Sequence, residues 1–183
     1  MIIGFTGKAR SGKDTAADYL ANRFGFHKYA FADPIKQTIN PLFGWDANTE
    51  KDVVDPKWGI SPRFAYQNFG TEFCRESLRE DFFLIKADEV VTRYMHTVIP
   101  DVRFENEAEY VRMGGCLIHI IRPGVRDVEA HKSEDGVSRK PYDIAIVNDG
   151  SVLDFQMRIL KMLTRADIIP TSYQYDDSQN VTY

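Results

Sequence analysis

The run IIGFTGKARSGKDT, Ile2 to Thr15, decides how the rest of the chain is read. Ile2, Ile3 and Phe5 make a short apolar strand. Gly7 and Gly12 then let the backbone turn tightly, so that consecutive N–H groups point inward at an anion. Lys13 adds a point charge, and the helix starting there aims its positive dipole end at the same place. The spacing Gly-x4-Gly-Lys in a strand–turn–helix context is that of a phosphate-binding loop. The expected ligand is a nucleoside triphosphate. Gly7 shapes the turn, the amides of Ala9, Arg10, Ser11, Gly12 and Lys13 take the β-phosphate, and Lys13 takes the transferring phosphate. Where Ser or Thr usually offers a hydroxyl to magnesium, the chain has Asp14, with Thr15 one place later. Asp14 reads equally as a magnesium ligand, direct or through water, and as an acid complementing the helix dipole.

Composition narrows the class. A chain of 183 residues fits one domain. Its net charge of −4 gives no support for nonspecific nucleic-acid binding, which needs a basic face, so no direct nucleic-acid partner is expected, while local basic pockets for phosphate stay open. Cys74 and Cys116 match no metal or redox spacing and read as reduced, buried thiols. No stretch approaches the length of a membrane span, and the first apolar run is too short for a signal peptide. The expected location is cytoplasmic, with no membrane partner.

Along the chain, Lys13 to Phe24 has helical apolar spacing and Gly25 closes it. Phe26 to Phe31 reads as a second strand. Asp33-Pro34 reads as a helix start with Asp33 as N-cap, and Ile35, Ile39 and Leu42 as its buried stripe. Gly44 to Ile60 is irregular. Ser61-Pro62 starts another helix, which Gly70 is expected to break. Ser77 to Met95 reads as helix with a break near Asp81. Strands are expected at Val98 to Asp101, Cys116 to Ile121 and Ile144 to Val147, and helices at Glu105 to Met113 and Leu153 to Leu163. Such alternation predicts an α/β fold, a parallel sheet covered by helices on both faces. The expected layout is a single domain with its core over about 1–43 and 97–165, a substrate-binding insertion over about 44–96, a lid over about 122–141 and a tail at 166–183.

Ligands of such sheets sit beyond the carboxyl ends of the strands. That places the loop, Asp33, Asp101 and Arg122 on one rim. Asp33 reads either as a group orienting the acceptor phosphate, or holding a water of the metal, or as a plain helix cap. Lys36 reads as an acceptor-phosphate ligand or a solvated lysine. Arg63, Gln67 and Thr71 recur at spacings of four on one helical face. A guanidinium suits a monophosphate and an amide suits a base edge. Phe64 or Tyr66 is placed to stack on the base. Asp101 reads as a magnesium-orienting or substrate-binding carboxylate, or as a cap for the next helix. Arg122 and Arg126 in the excursion are candidate charge stabilisers for the transferring phosphoryl. His131 reads as a substrate contact.

These pieces resemble, in order, the bacteriophage deoxynucleoside monophosphate kinases of the T-even type. The matching stretches are GKARSGKDTAADYL, FADPIK, SPRFAYQNFGTE, DVRFENEAE, AHKSE and YDIAIVNDGS, which span about Met1 to Leu163. The resemblance implies a nucleoside-monophosphate-kinase fold with substrate region and lid, with Mg2+ as cofactor. It implies transfer from ATP to a deoxynucleoside monophosphate. It also implies that Arg63, Gln67, Thr71, Asp101 and Arg103 contact the acceptor, and that Asp14 in the metal position belongs to the pattern. A phage origin would place the protein in the cytoplasm of an infected host cell. Two other readings share the opening loop. One is a kinase for another small phosphate, such as phosphomevalonate or dephospho-coenzyme A; the other is a noncatalytic nucleotide-binding protein. A homodimer through the tyrosine-rich tail is a further expectation.

Overall fold

A computed structural model describes residues 1–125 and 136–169. They fall into two compact units, Met1–Asn148 and a second beginning at Asp149. The first unit carries the whole sheet. Its elements are β1 (Ile2–Thr6), α1 (Lys13–Phe24), β2 (His27–Lys28), α2 (Asp33–Phe43), α3 (Pro62–Gln67), a π-helix (Asn68–Leu78), α4 (Phe82–Val91), β3 (Thr97–Ile99), α5 (Glu105–Gly114), β4 (Gly115–Ile121) and β5 (Ile144–Val147). All five strands are parallel, in the order β2-β3-β1-β4-β5. β1 is central and buried along its whole length, which is why Ile2, Ile3 and Phe5 show no polar alternation between them. Chain order departs to either side of β1, and ligands of open parallel sheets bind at such a switch point, outside the carboxyl ends. The residues that follow β1, β2, β3 and β4 therefore share one rim.

The main core cluster joins Ile2, Phe31, Cys74, Phe83, Ile99, Val102, Val111 and Leu117. A smaller cluster forms around Ile39, Trp45 and Ala65. It organises the irregular stretch after α2. Trp45 stacks on Phe43 with ring centres 4.4 Å apart and donates from Nε1 to Asp55 at 2.6 Å. Trp58 donates to the Phe43 carbonyl at 2.9 Å. The second unit contains α6 (Val152–Arg165), opened by a capping box in which Ser151 and Asp154 bond each other's backbone. Phe155, Ile159, Leu160 and Leu163 form its buried stripe.

Several sequence expectations are corrected. β2 is only two residues long, because after Tyr29 donates to the Val98 carbonyl at 3.0 Å the chain turns away. The N-cap of α2 is Ala32, and Asp33 is its first residue. Leu42 is 70% exposed and leaves the expected stripe, since Trp45 folds back beside Ile39 instead. Gly70 does not end a helix. The chain continues through it as a π-helix, and a Cβ there would lie 2.6 Å from Ile35 Cδ1. That glycine serves a close helix contact, a role indistinguishable from a helix stop in sequence. The break expected near Asp81 is present, at Arg79–Asp81, but Ser77 and Leu78 close the π-helix and α4 ends at Val91, short of the expected Met95. Cys74 is buried as expected, whereas Cys116 is half-buried.

Candidate active site

The loop after β1 has the shape its glycines predict. Gly7 has φ 139° and Gly12 has φ 108°. Arg10, with a Cβ, is also held in the left-handed region at φ 61°. Such conformations cost of order 1–3 kcal/mol and gather at ligand clamps. Lys13 Nζ bonds the carbonyls of Gly7 and Lys8 at 2.6 and 2.7 Å, so the ammonium sits over the loop. Asn148, just past β5, supports it from beneath by donating to the Ser11 carbonyl at 2.8 Å. Ser11 Oγ is buried without a hydrogen-bond partner among the described residues, so the loop retains unmet polar capacity. Arg122 Nη1 lies 3.5 Å from the Arg10 carbonyl, on the same rim.

A Cβ on residue 7 would stand 2.3 Å from the Ile120 carbonyl oxygen. Gly7→Ala must therefore deform the loop. We expect it to weaken binding of a nonhydrolysable ATP analogue by at least about ten-fold, ~1.4 kcal/mol. Calorimetry on the folded variant checks this; unchanged affinity would remove the loop from the binding site.

Beside the loop is a cleft of about 260 Å³. Its walls come from α1 (Asp14), the turn before α2 and α2 itself (Phe31, Ile35, Lys36), the α3–π-helix segment (Arg63, Tyr66, Gln67, Thr71, Arg75) and the segment after β3 (Asp101, Arg103, Phe104, Glu107), with Lys51. Five cations and three carboxylates line it, so the cleft is locally basic in an acidic chain. Arg63 pairs with Asp52, whose carboxyl it holds below the ordinary range, with Lys51 and Arg10 adding to the effect.

Asp101 does much of the positioning. Its two oxygens accept from the backbone N–H groups of Phe31 and Ala32, both at 2.9 Å, and so clamp the turn after β2 to the end of β3. Burial pushes its carboxyl up, while the two N–H groups and Arg103 favour the charged form. Asp33 turns its carboxylate back onto Ala30 N at 3.0 Å and closes the same turn. Asp14 is well exposed, with Lys28 Nζ 3.5 Å away. Thr15 is half-buried in the same helical turn. Oxygen donors on an open helix start suit a hard cation that keeps most of its waters, so this pair fits magnesium.

The structure thus brings Lys36, Arg63, Gln67, Thr71, Asp101 and Arg103 to one cleft and Lys13 and Arg122 to the loop beside it. Of the two residues placed to stack on the base, Tyr66 lines the cleft and Phe64 is 52% exposed. Arg126 and His131 lie outside the described residues.

Among the lining residues that the sequence reading gave no role, Glu107 and Arg75 form a buried ion pair. Glu107 is 1% exposed and accepts from the N–H groups of Arg103 and Phe104 at 2.7 and 3.0 Å. Burial pushes its carboxyl up to about 7 against the opposing pull of Arg75. Arg75 bonds Glu107 at 2.5 Å. A signal for Arg75 was present: it extends the spacing-of-four series Arg63, Gln67, Thr71 by one step.

Comparison with known proteins agrees with this geometry. The sequence profile of the deoxynucleotide monophosphate kinase family matches residues 1–58 and 46–159. A chain of Acanthamoeba polyphaga mimivirus that bears that family's name is 34% identical over 188 residues, covering 91% of this chain and 97% of its own. The deoxynucleotide monophosphate kinase of Enterobacteria phage T4 is 24% identical over 238 residues, covering 88% of this chain and 98% of its own. Among solved structures, shikimate kinase from Aquifex aeolicus superposes with a TM-score of 0.55 at 14% identity, covering 91% of this chain and 98% of its own. That likeness shows the fold alone, a parallel sheet flanked by helices. From the profile match and the mimivirus relative, the chain belongs to the deoxynucleotide monophosphate kinase family.

Proposed function

We propose that the protein transfers the γ-phosphoryl group of ATP to a deoxynucleoside monophosphate, giving ADP and the deoxynucleoside diphosphate. The observation that carries this reading is the basic cleft opening beside the phosphate loop, with Arg63, Gln67 and Thr71 on one wall. An oxygen of the acceptor phosphate attacks the γ-phosphorus, and the bond from that phosphorus to the β–γ bridging oxygen breaks. The nucleophile is already anionic near neutral pH, so no strong base is needed. The work of the protein is positioning and charge stabilisation.

Lys13 neutralises the moving charge, and Arg122 and Arg126, in the lid assigned to about residues 122–141, serve as further charge stabilisers. Lys36, Arg63 and Arg103 offset repulsion between the two anions. Gln67, Thr71 and Tyr66 hold base and sugar, and His131 is assigned a substrate contact. Asp33 and Asp101 fix the turn that presents Lys36. Asp14 and Thr15 would hold magnesium, which supplies further neutralisation of the phosphates when bound. The insertion, about residues 44–96, forms the acceptor site, and the enzyme works in the cytoplasm, that of the host if phage-encoded. The family match favours this reading over a kinase for phosphomevalonate or dephospho-coenzyme A, and over a noncatalytic nucleotide-binding protein.

A coupled ADP-release assay across dAMP, dCMP, dGMP, dTMP and the ribonucleotides tests it. Acceptor-dependent turnover with one or more deoxynucleotides is expected. ATP binding without turnover on any of them would overturn the proposal. Arg63→Ala should raise the acceptor KM by roughly 10–100-fold with a smaller change in kcat, since it removes a charge-assisted bond worth about 1.5–3 kcal/mol. An unchanged KM would take Arg63 out of the acceptor site.

A further inference from the structure

Arg75 is built into the cleft wall more firmly than any other cation there. Its side chain is only 9% exposed. The Phe83 and Phe104 rings lie 4.6 and 4.2 Å from its Cζ. Nη2 donates to Glu107, itself held by the backbone. Nη1 is buried and has no hydrogen-bond partner among the described residues. A buried donor left unmet costs about 1–3 kcal/mol, and native proteins rarely tolerate one without a use.

We propose that Arg75 is the specificity-determining donor of the acceptor site, giving a hydrogen bond from Nη1 to a carbonyl oxygen of the substrate nucleobase. The inference rests on the acceptor reading above. Three observations point to a base instead of the phosphate. Nη2 is already committed to Glu107, which leaves Nη1 as a single directional donor. A phosphate takes several charge-assisted donors, and Lys36, Lys51, Arg63 and Arg103 supply cations elsewhere in the cleft. Phe104, packed on Arg75 and lining the cleft, also presents apolar surface suited to a flat base. A donor locked by two rings and a carboxylate cannot swing to suit a base without a matching acceptor, and unpaired buried polar groups are what make such sites selective.

The test is the dissociation constants of dGMP, dTMP, dCMP and dAMP for the wild type, Arg75→Lys and Arg75→Met. They are measured by calorimetry, with circular dichroism for the fold and turnover in parallel. Adenine has no carbonyl oxygen. The variants are expected to lose at least about ten-fold more affinity for carbonyl-bearing nucleotides than for dAMP, ~1.4 kcal/mol of difference. Arg75→Lys keeps a cation facing Glu107 and guards against a folding defect. A probe on the ligand side needs no variant: the 2-aminopurine deoxynucleotide, lacking the 6-carbonyl of dGMP, should bind the wild type at least about ten-fold more weakly than dGMP. Equal losses for all four nucleotides, no loss for any, or no penalty for the carbonyl-deleted ligand would overturn the assignment. Wild type that binds nucleotides without turning them over would remove the kinase reading, and the binding series would still decide Arg75. Wild type that binds no deoxynucleotide would remove both.

Discussion

Lys13→Ala is expected to lower phosphoryl transfer by roughly three orders of magnitude, ~4 kcal/mol of lost transition-state stabilisation. The ammonium already sits over the loop, on the carbonyls of Gly7 and Lys8. A bound triphosphate offers it phosphate oxygens at the same mouth, where the amides and dipole of α1 converge. Charge shifts from the γ-phosphoryl group to the leaving oxygen during transfer, so the loss should fall mainly on kcat. The contacts broken in the free protein are exposed hydrogen bonds, and the melting temperature should move little. Single-turnover kinetics and circular dichroism check both halves. Near-normal turnover in a folded Lys13→Ala protein would end the phosphate-loop mechanism.

The largest stability effect is expected at Asp143. Its side chain is 1% exposed and meets Arg112 Nη2 at 2.8 Å, His119 Nε2 at 3.1 Å and the Lys140 N–H at 2.8 Å. Arg112 also bonds Glu105 and the Ser138 carbonyl. This network ties α5 and β4 to the chain just before β5. Asp143→Ala leaves a buried guanidinium short of its carboxylate, which should cost about 3–5 kcal/mol, or roughly 6–20 °C in Tm.

The pH dependence has a definite sign. Burial would raise the Asp143 carboxyl, but Arg112, the Lys140 N–H and His119 outweigh it and hold it at about 2, below its ordinary 3.8. A carboxyl depressed in the folded state stabilises above its unfolded value and loses that contribution as pH falls through the folded one. About 2 kcal/mol should therefore disappear between pH ~4 and ~2. Denaturant titrations of wild type and Asp143→Asn across that window test this. The wild type should show the extra loss, and equal slopes in the two proteins would refute the assignment.

The legible part of the site lay in short range. Gly7, Gly12 and Lys13 act within one strand–turn–helix, and Arg63, Gln67 and Thr71 sit at one helical interval. Gly70 misled because a close helix contact and a helix stop look alike in sequence. Asp33 and Asp101 were placed on the rim correctly in position, but their hydrogen bonds to Ala30, Phe31 and Ala32 could not be read. Those pairings depend on where β2 stops, and a two-residue strand carries almost no periodic signal.

Taken alone, the sequence determined the alternation of strands and helices, the phosphate loop and the family resemblance. Each is written in local periodicity, turn chemistry or motif spacing, which physics reads within a few residues. Tertiary structure alone decided the strand order, the clamp by Asp101 across 69 and 70 residues, the Arg75–Glu107 pair across 32 and the Arg112–Asp143 pair across 31. Buried charges find partners by proximity in the folded chain, because desolvation penalises any that stay unpaired. That constraint acts in space, and it leaves no period along the sequence.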